Sequence, residues 1–219
     1  MLVLWPEAVT GSFSRILCLG AHADDIEIGC GGTVLRLLQI GGGRISVDWV
    51  VLSAPGRRST EANRGAETFL RQAKAARVII EDFRMSYFPY VGAELKERFD
   101  ALGGEVSPDL VLTHNGDDVH QDHRVVSELT WNTFRDHLIL EYEIPKYDGD
   151  LGRPNVFVHL DEETSRMKVE SLLTVFESQR SKPWFSEDLF MAMLRLRGME
   201  SRSPFGFAEA FYGRKLVLA

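Results

Sequence analysis

The chain has 219 residues, 44% of them hydrophobic and 26% charged, with 32 acidic against 25 basic side chains and a formal net charge of −7. That composition belongs to a globular domain long enough to bury a core of its own; it excludes a disordered chain, and the net acidity excludes generic nucleic-acid binding. Two cysteines, Cys18 and Cys30, cannot build a disulfide framework or a four-thiolate zinc site, and no run approaches the ~20 apolar residues of a membrane span.

Met1 to Trp5 is apolar but is stopped by Pro6 and Glu7 and has no basic leader, so the expected location is the cytoplasm, with both thiols reduced. Residues 1–14 read as an N-terminal extension. Arg15 to Gly20 then reads as a buried strand, and Ile26 to Ile40 as a helix stopped by three glycines at 41–43. Ile45 to Leu52 is a second strand, Thr60 to Arg77 a second helix, and Val78 to Ile80 a short strand. Glu94 to Leu102 predicts a helix, Leu110 to Thr113 a strand, His123 to Phe134 a helix, and Leu138 to Tyr142 an extended segment. This alternation predicts a three-layer α/β/α architecture with a mostly parallel, Rossmann-like sheet. Residues 147–219 read as a C-terminal flank of the same domain, which spans 1–219. Within the flank, Val156 to His159 is a strand, Glu162 to Glu177 and Glu187 to Leu196 are helices, and Ala210 to Leu218 is a final strand.

Two clusters carry chemistry. His22-Ala23-Asp24-Asp25 follows the first strand, and His120-Gln121-Asp122-His123 follows the Leu110 to Thr113 strand. Both lie where a parallel strand hands over to a helix, the end of an open α/β sheet at which ligands bind. Imidazole and carboxylate together suit zinc, whose catalytic sites keep three protein ligands and one open position. His22, Asp25 and one histidine of the second cluster would supply two nitrogens and one carboxylate. Asp24 and Asp25 are adjacent, so their side chains diverge: one binds the metal, and the other faces the water it activates.

The Ala-His-x-Asp-Asp motif with a later His-x-Asp-His resembles the LmbE/PIG-L family of zinc-dependent de-N-acetylases. Weaker support comes from Gly29, Gly31 and Gly32, from Arg64-Gly65-Ala66-Glu67, and from Ala208-Glu209-Ala210-Phe211. The resemblance implies one zinc per chain, held by His22, Asp25 and His123. It makes Asp24 the general base, His120 the group that polarises the amide carbonyl, and Asp122 the group that orients the His120 ring. Arg64 would contact substrate hydroxyls. The implied reaction is hydrolysis of an N-acetyl group on a glucosamine-like sugar or its conjugate, and homo-oligomers are common in such a family. Alternatives are a zinc amidase acting on a non-sugar N-acyl substrate, and a non-catalytic metal- or sugar-binding protein. Two departures bear on the substrate: Asp118 stands where some sugar-conjugate members carry tyrosine, and Gln121 replaces a proline.

Arg57 and Arg58 follow the second strand on the expected active face and are candidates to hold a phosphate or another anion. The glycines at 29, 31 and 32 miss the dinucleotide-loop spacing, because position 34 is valine, and read as helix packing. Cys30 reads as a small buried residue. His114 either lines the site or bonds a loop, and His137 and His159 read as structural.

Overall fold

The computed structural model describes residues 14–216. The N-terminal apolar run and the last residues of the predicted final strand lie outside them. Within these residues, seven strands form one sheet: β1 (Arg15–His22), β2 (Ser46–Ser53), β3 (Ala75–Ile80), β4 (Leu110–His114), β5 (Leu138–Tyr142), β6 (Val156–Leu160) and β7 (Phe207–Gly213). Their spatial order is β3-β2-β1-β4-β5-β7-β6. The first five are mutually parallel, and β7 runs antiparallel to both β5 and β6. Among the described residues, six α-helices pack on the two faces: α1 (Asp25–Gly41), α2 (Arg57–Phe69), α3 (Gly92–Glu105), α4 (Gln121–Thr133), α5 (Glu162–Val175) and α6 (Glu187–Glu200). The fold is therefore the expected three-layer α/β arrangement, closed at one edge by an antiparallel pair.

Strand alternation builds two cores. Ile16 and Cys18 of β1, with Val47, Trp49 and Val51 of β2, face the layer of α1, α2, α5 and α6. Leu17, Leu19 and Ala21, with Val50 and Leu52, face the layer of α3 and α4. A strand covered on both sides has no polar face, which is why β1 reads as a continuous apolar run.

The glycines of α1 serve packing. A Cβ on Gly29 would lie 2.1 Å from the Tyr142 ring, and one on Gly32 would lie 2.5 Å from Leu160. Their absence lets the helix sink onto β5 and β6. Glu209 of β7 completes the anchorage: it accepts from the amides of Gly32 (2.8 Å) and Thr33 (2.6 Å), while Lys168 donates to Glu209 (2.5 Å) and to the Ile28 carbonyl (2.6 Å). A buried ion pair thus holds the helix that begins at Asp25.

Two boundaries differ most from the sequence reading. The final strand begins at Phe207, not Ala210, and ends at Gly213. The second helix ends at Phe69, not Arg77, and Ala75 to Arg77 already belong to β3. Alanine and arginine favour helix, but the buried Asp48 of β2 overrides that preference. It pairs at 2.8 Å with Arg77, its register partner on β3, and at 2.6 Å with Arg15 of β1, two residues before its register partner Leu17. Among the described residues, no helix is long and apolar enough to cross a membrane.

Candidate metal centre

Strand order reverses between β1 and β4: β2 and β3 lie on one side of β1, and β4 and β5 on the other. The crevice beyond the carboxyl ends of β1 and β4 is the topological switch point. His22 ends β1, Asp25 opens α1, and His120 and His123 flank the start of α4 directly beyond β4. Residues a hundred positions apart therefore meet because parallel strands place their following loops side by side.

Three donor atoms form a nearly equilateral triangle. Nδ1 of His22 lies 3.3 Å from Oδ2 of Asp25, Nε2 of His123 lies 3.3 Å from that same Nδ1, and Nε2 of His123 lies 3.5 Å from Oδ2 of Asp25. The centre of such a triangle is about 2 Å from each corner, which matches zinc–nitrogen and zinc–oxygen bond lengths. These residues fit the metal that the sequence implied. The outer nitrogen of each imidazole is also held. Nε2 of His22 donates to Asp122 at 3.0 Å, and Nδ1 of His123 donates to Asp118 at 2.9 Å. Carboxylates behind metal-binding histidines fix the tautomer that leaves the inner nitrogen free.

Two further triplets bring donors within 4.8 Å of one another, His22–His120–His123 and Asp25–His114–His123. In the second, Nε2 of His114 already accepts from the Ala21 amide at 3.0 Å, and the ring stacks on His123 at 3.9 Å. His114 packs behind the donors and lines the site. In the first, Nδ1 of His120 accepts from the Asp122 amide at 3.2 Å. The neutral ring therefore carries its proton on Nε2.

Electrostatics separate the two neighbouring aspartates. Burial pushes the Asp24 carboxyl up, more than the Arg58 guanidinium draws it down. Burial alone would also raise Asp25, but His123, His114 and His22 hold it well below the usual carboxylate range. Burial draws His22 down, yet the carboxylates of Asp25 and Asp122 carry it up to about 9. Burial and the neighbouring His114 take His123 down to about 4. Adjacent carboxylates with divergent affinities for a proton are suited to divergent roles.

The expected site residues divide by position. His22, Asp24, Asp25, His120, Asp122 and His123 come together. Asp122, however, directs its carboxylate to His22 and to the amides of Ser86 (2.6 Å) and Phe88 (3.1 Å); only its main-chain amide meets the His120 ring. This differs from the expected orientation of His120 by that carboxylate, because a side chain in the first turn of α4 points back across the crevice toward β1. Arg58 pairs with Asp24. Arg57 turns away to Glu177 at 2.5 Å and Glu61 at 3.4 Å. Arg64 is exposed in a surface groove between α2 and α5, beside Glu67, Arg166 and Glu170. Asp118 and Lys146, which bond each other at 2.9 Å behind His123, were not expected site residues. The Asp-x-His-x-Asp-His spacing at 118–123 was the available signal for Asp118.

A family model described as PIG-L, GlcNAc-PI de-N-acetylase, matches residues 17–134. The chain is also 30% identical over 169 residues to the Escherichia coli K12 protein YaiS, described as an uncharacterized deacetylase, covering 72% of this chain and 88% of that one. This chain belongs to the PIG-L family. It is accordingly a hydrolase of a deacetylase family, acting on an amide. Solved structures share the fold. The N,N'-diacetylchitobiose deacetylase from Pyrococcus horikoshii superposes with a TM-score of 0.66 at 19% identity, covering 93% of this chain and 84% of that one. GalB from Pseudomonas putida KT2440, a 4-carboxy-2-hydroxymuconate hydratase, superposes with a TM-score of 0.76 at 16% identity, covering 94% and 98%. One fold thus carries two chemistries, so the reaction has to be argued from the site.

Proposed function

We propose that this PIG-L family member is a zinc-dependent deacetylase that removes the N-acetyl group of an amino sugar or its conjugate. The observation that carries this reading is the triangle of His22, Asp25 and His123 donors with the Asp24 carboxylate beside it. His22 Nδ1, Asp25 Oδ2 and His123 Nε2 would hold one zinc ion. When bound, the ion supplies Lewis acidity toward a water molecule and the amide carbonyl.

The chain's own groups perform the rest. Asp24 takes a proton from the attacking water as its oxygen bonds to the acyl carbon. His120, with its proton on Nε2, donates to the carbonyl oxygen while negative charge builds there. Asp24 then returns the proton to the departing nitrogen as the C–N bond breaks. The products are a carboxylate and a free amine, and water is the only co-reactant.

The test is acetate release from a panel of free, phosphorylated, nucleotide-linked and lipid-linked N-acetylhexosamines, with non-sugar N-acyl amides included and zinc quantified in the same preparation. Acetate from hexosamines is the expected result. Release only from the non-sugar amides would move the reading to a general zinc amidase. Stoichiometric zinc with no turnover on any member would overturn the enzymatic mechanism.

A further inference from the structure

Asp24 stands immediately before α1, where an aspartate ordinarily accepts from the free amides of the first helical turn. It makes no such bond. Its Oδ1 is paired instead with Nη2 of Arg58, from the first turn of α2. The helix forgoes that cap, and the carboxylate is turned toward another element.

The pairing is one-sided. Arg197 grips Glu143 through two nitrogens at 2.7 Å each, the fork-on-fork geometry of a pair that serves to hold elements together. Arg58 gives Asp24 a single nitrogen. Its Nη1 faces the Met85 thioether at 3.7 Å, and its buried Nε has no partner among the described residues. On the Asp24 side, Oδ2 receives no hydrogen bond from the described residues. One oxygen is held and the other is left to the crevice.

We propose that Arg58 is a positioning residue for the general base: it draws Asp24 off the helix cap, fixes Oδ1, and leaves Oδ2 aimed at the reacting water. The inference rests on the reading of Asp24 as that base. It also gives Arg58 a different task from holding a substrate anion, since the guanidinium is engaged before substrate arrives.

The test compares Arg58→Ala and Arg58→Lys with the wild-type zinc enzyme, measuring kcat, KM, bound zinc and Tm, with and without added guanidinium at non-denaturing concentration. Arg58→Ala is expected to lower kcat about a hundredfold, the cost of a misplaced catalytic group, with KM and zinc content unchanged. Guanidinium should restore part of the loss, and Arg58→Lys should retain more activity than Arg58→Ala. An unchanged kcat overturns the proposal. So does a raised KM at constant kcat, which would make Arg58 a substrate ligand. Loss of activity that tracks loss of zinc or of Tm, without rescue by guanidinium, overturns it as well. If Arg58→Ala does not fold, a lowered kcat in Arg58→Lys at constant KM and zinc decides in favour, and an unchanged kcat decides against. A wild-type enzyme that binds zinc and releases no acetate would instead sink the reading of Asp24, which keeps the two failures apart.

Discussion

Asp122 accepts a hydrogen bond from Nε2 of His22 at 3.0 Å. The same carboxylate holds the amides of Ser86 and Phe88, so the loop after the edge strand β3 is tied across β2 and β1 to the candidate metal centre. Ser86 sits at φ 65°, an uncommon conformation for a residue with a side chain, and that bonding keeps it there. Asp122→Asn leaves the shape and removes the charge behind His22. Zinc affinity is expected to fall about 10- to 100-fold, the usual cost of losing such a partner. Competition against a metal chelator measures it, and wild-type affinity in the variant would show that the contact does not tune the metal.

Much of this site is legible in the sequence because it is local. His22, Asp24 and Asp25 occupy one strand–helix junction, and His120, Asp122 and His123 another. What could not be read are the bonds that join distant junctions. Arg58 reaches Asp24 across 34 positions, and Ser86 reaches Asp122 across 36. No local pattern marks either pair. The start of β3 was hidden for a similar reason: Ala75 to Arg77 carry a helical composition, and pairing with Ser46 to Asp48 of the neighbouring strand, including the Asp48–Arg77 ion pair, makes them extended. Arg64 shows the opposite failure. The resemblance assigned it a substrate contact, yet its place on α2 faces α5.

The cap of α5 gives a pH prediction. Asp161 accepts from the Thr164 amide at 2.8 Å. Burial pushes its carboxyl up, but the Thr164 amide and hydroxyl together with the Arg36 guanidinium hold it below its ordinary value. A lowered folded-state pKa contributes stability that is present above the unfolded value and is lost as pH falls through the folded one. Asp161→Ala should therefore cost about 1 kcal/mol at neutral pH, and the deficit should narrow toward about pH 3. Asp161→Asn, which keeps an acceptor, should retain most of the stability. Denaturant unfolding of the three proteins at both pH values checks this; a gap independent of pH would show that charge plays no part in the cap.

The Lys168–Glu209 pair predicts a larger effect. Both side chains are buried, and Glu209 also satisfies two amides inside α1. Glu209→Gln strands the Lys168 charge, a change that typically costs about 3–5 kcal/mol. For a chain of this size that lowers Tm on the order of 10 °C. Removing both charges, in Lys168→Met with Glu209→Gln, should cost less than Glu209→Gln alone, because no unpaired charge remains. Thermal melts of the single and double variants test the coupling, and strictly additive losses would contradict it.

The division of labour proposed for the neighbouring aspartates makes the sharpest prediction. Asp25 lies 3.3 Å from His22 Nδ1 and 3.5 Å from His123 Nε2, whereas Asp24 pairs with Arg58. Asp24→Asn should keep zinc at the wild-type stoichiometry and lose about 10²- to 10⁴-fold in kcat, the range of a general base. His22→Ala and His123→Ala should lose metal and turnover together, and chelation of the wild type should reproduce them, with zinc restoring activity only in the wild type. His120→Ala should resemble Asp24→Asn in keeping zinc, since the proposed ligand triangle is complete without it. Elemental analysis and acetate release, measured on the same samples, separate the two classes. Full activity in Asp24→Asn would show that the proton goes elsewhere, and loss of zinc in that variant would make Asp24 a ligand.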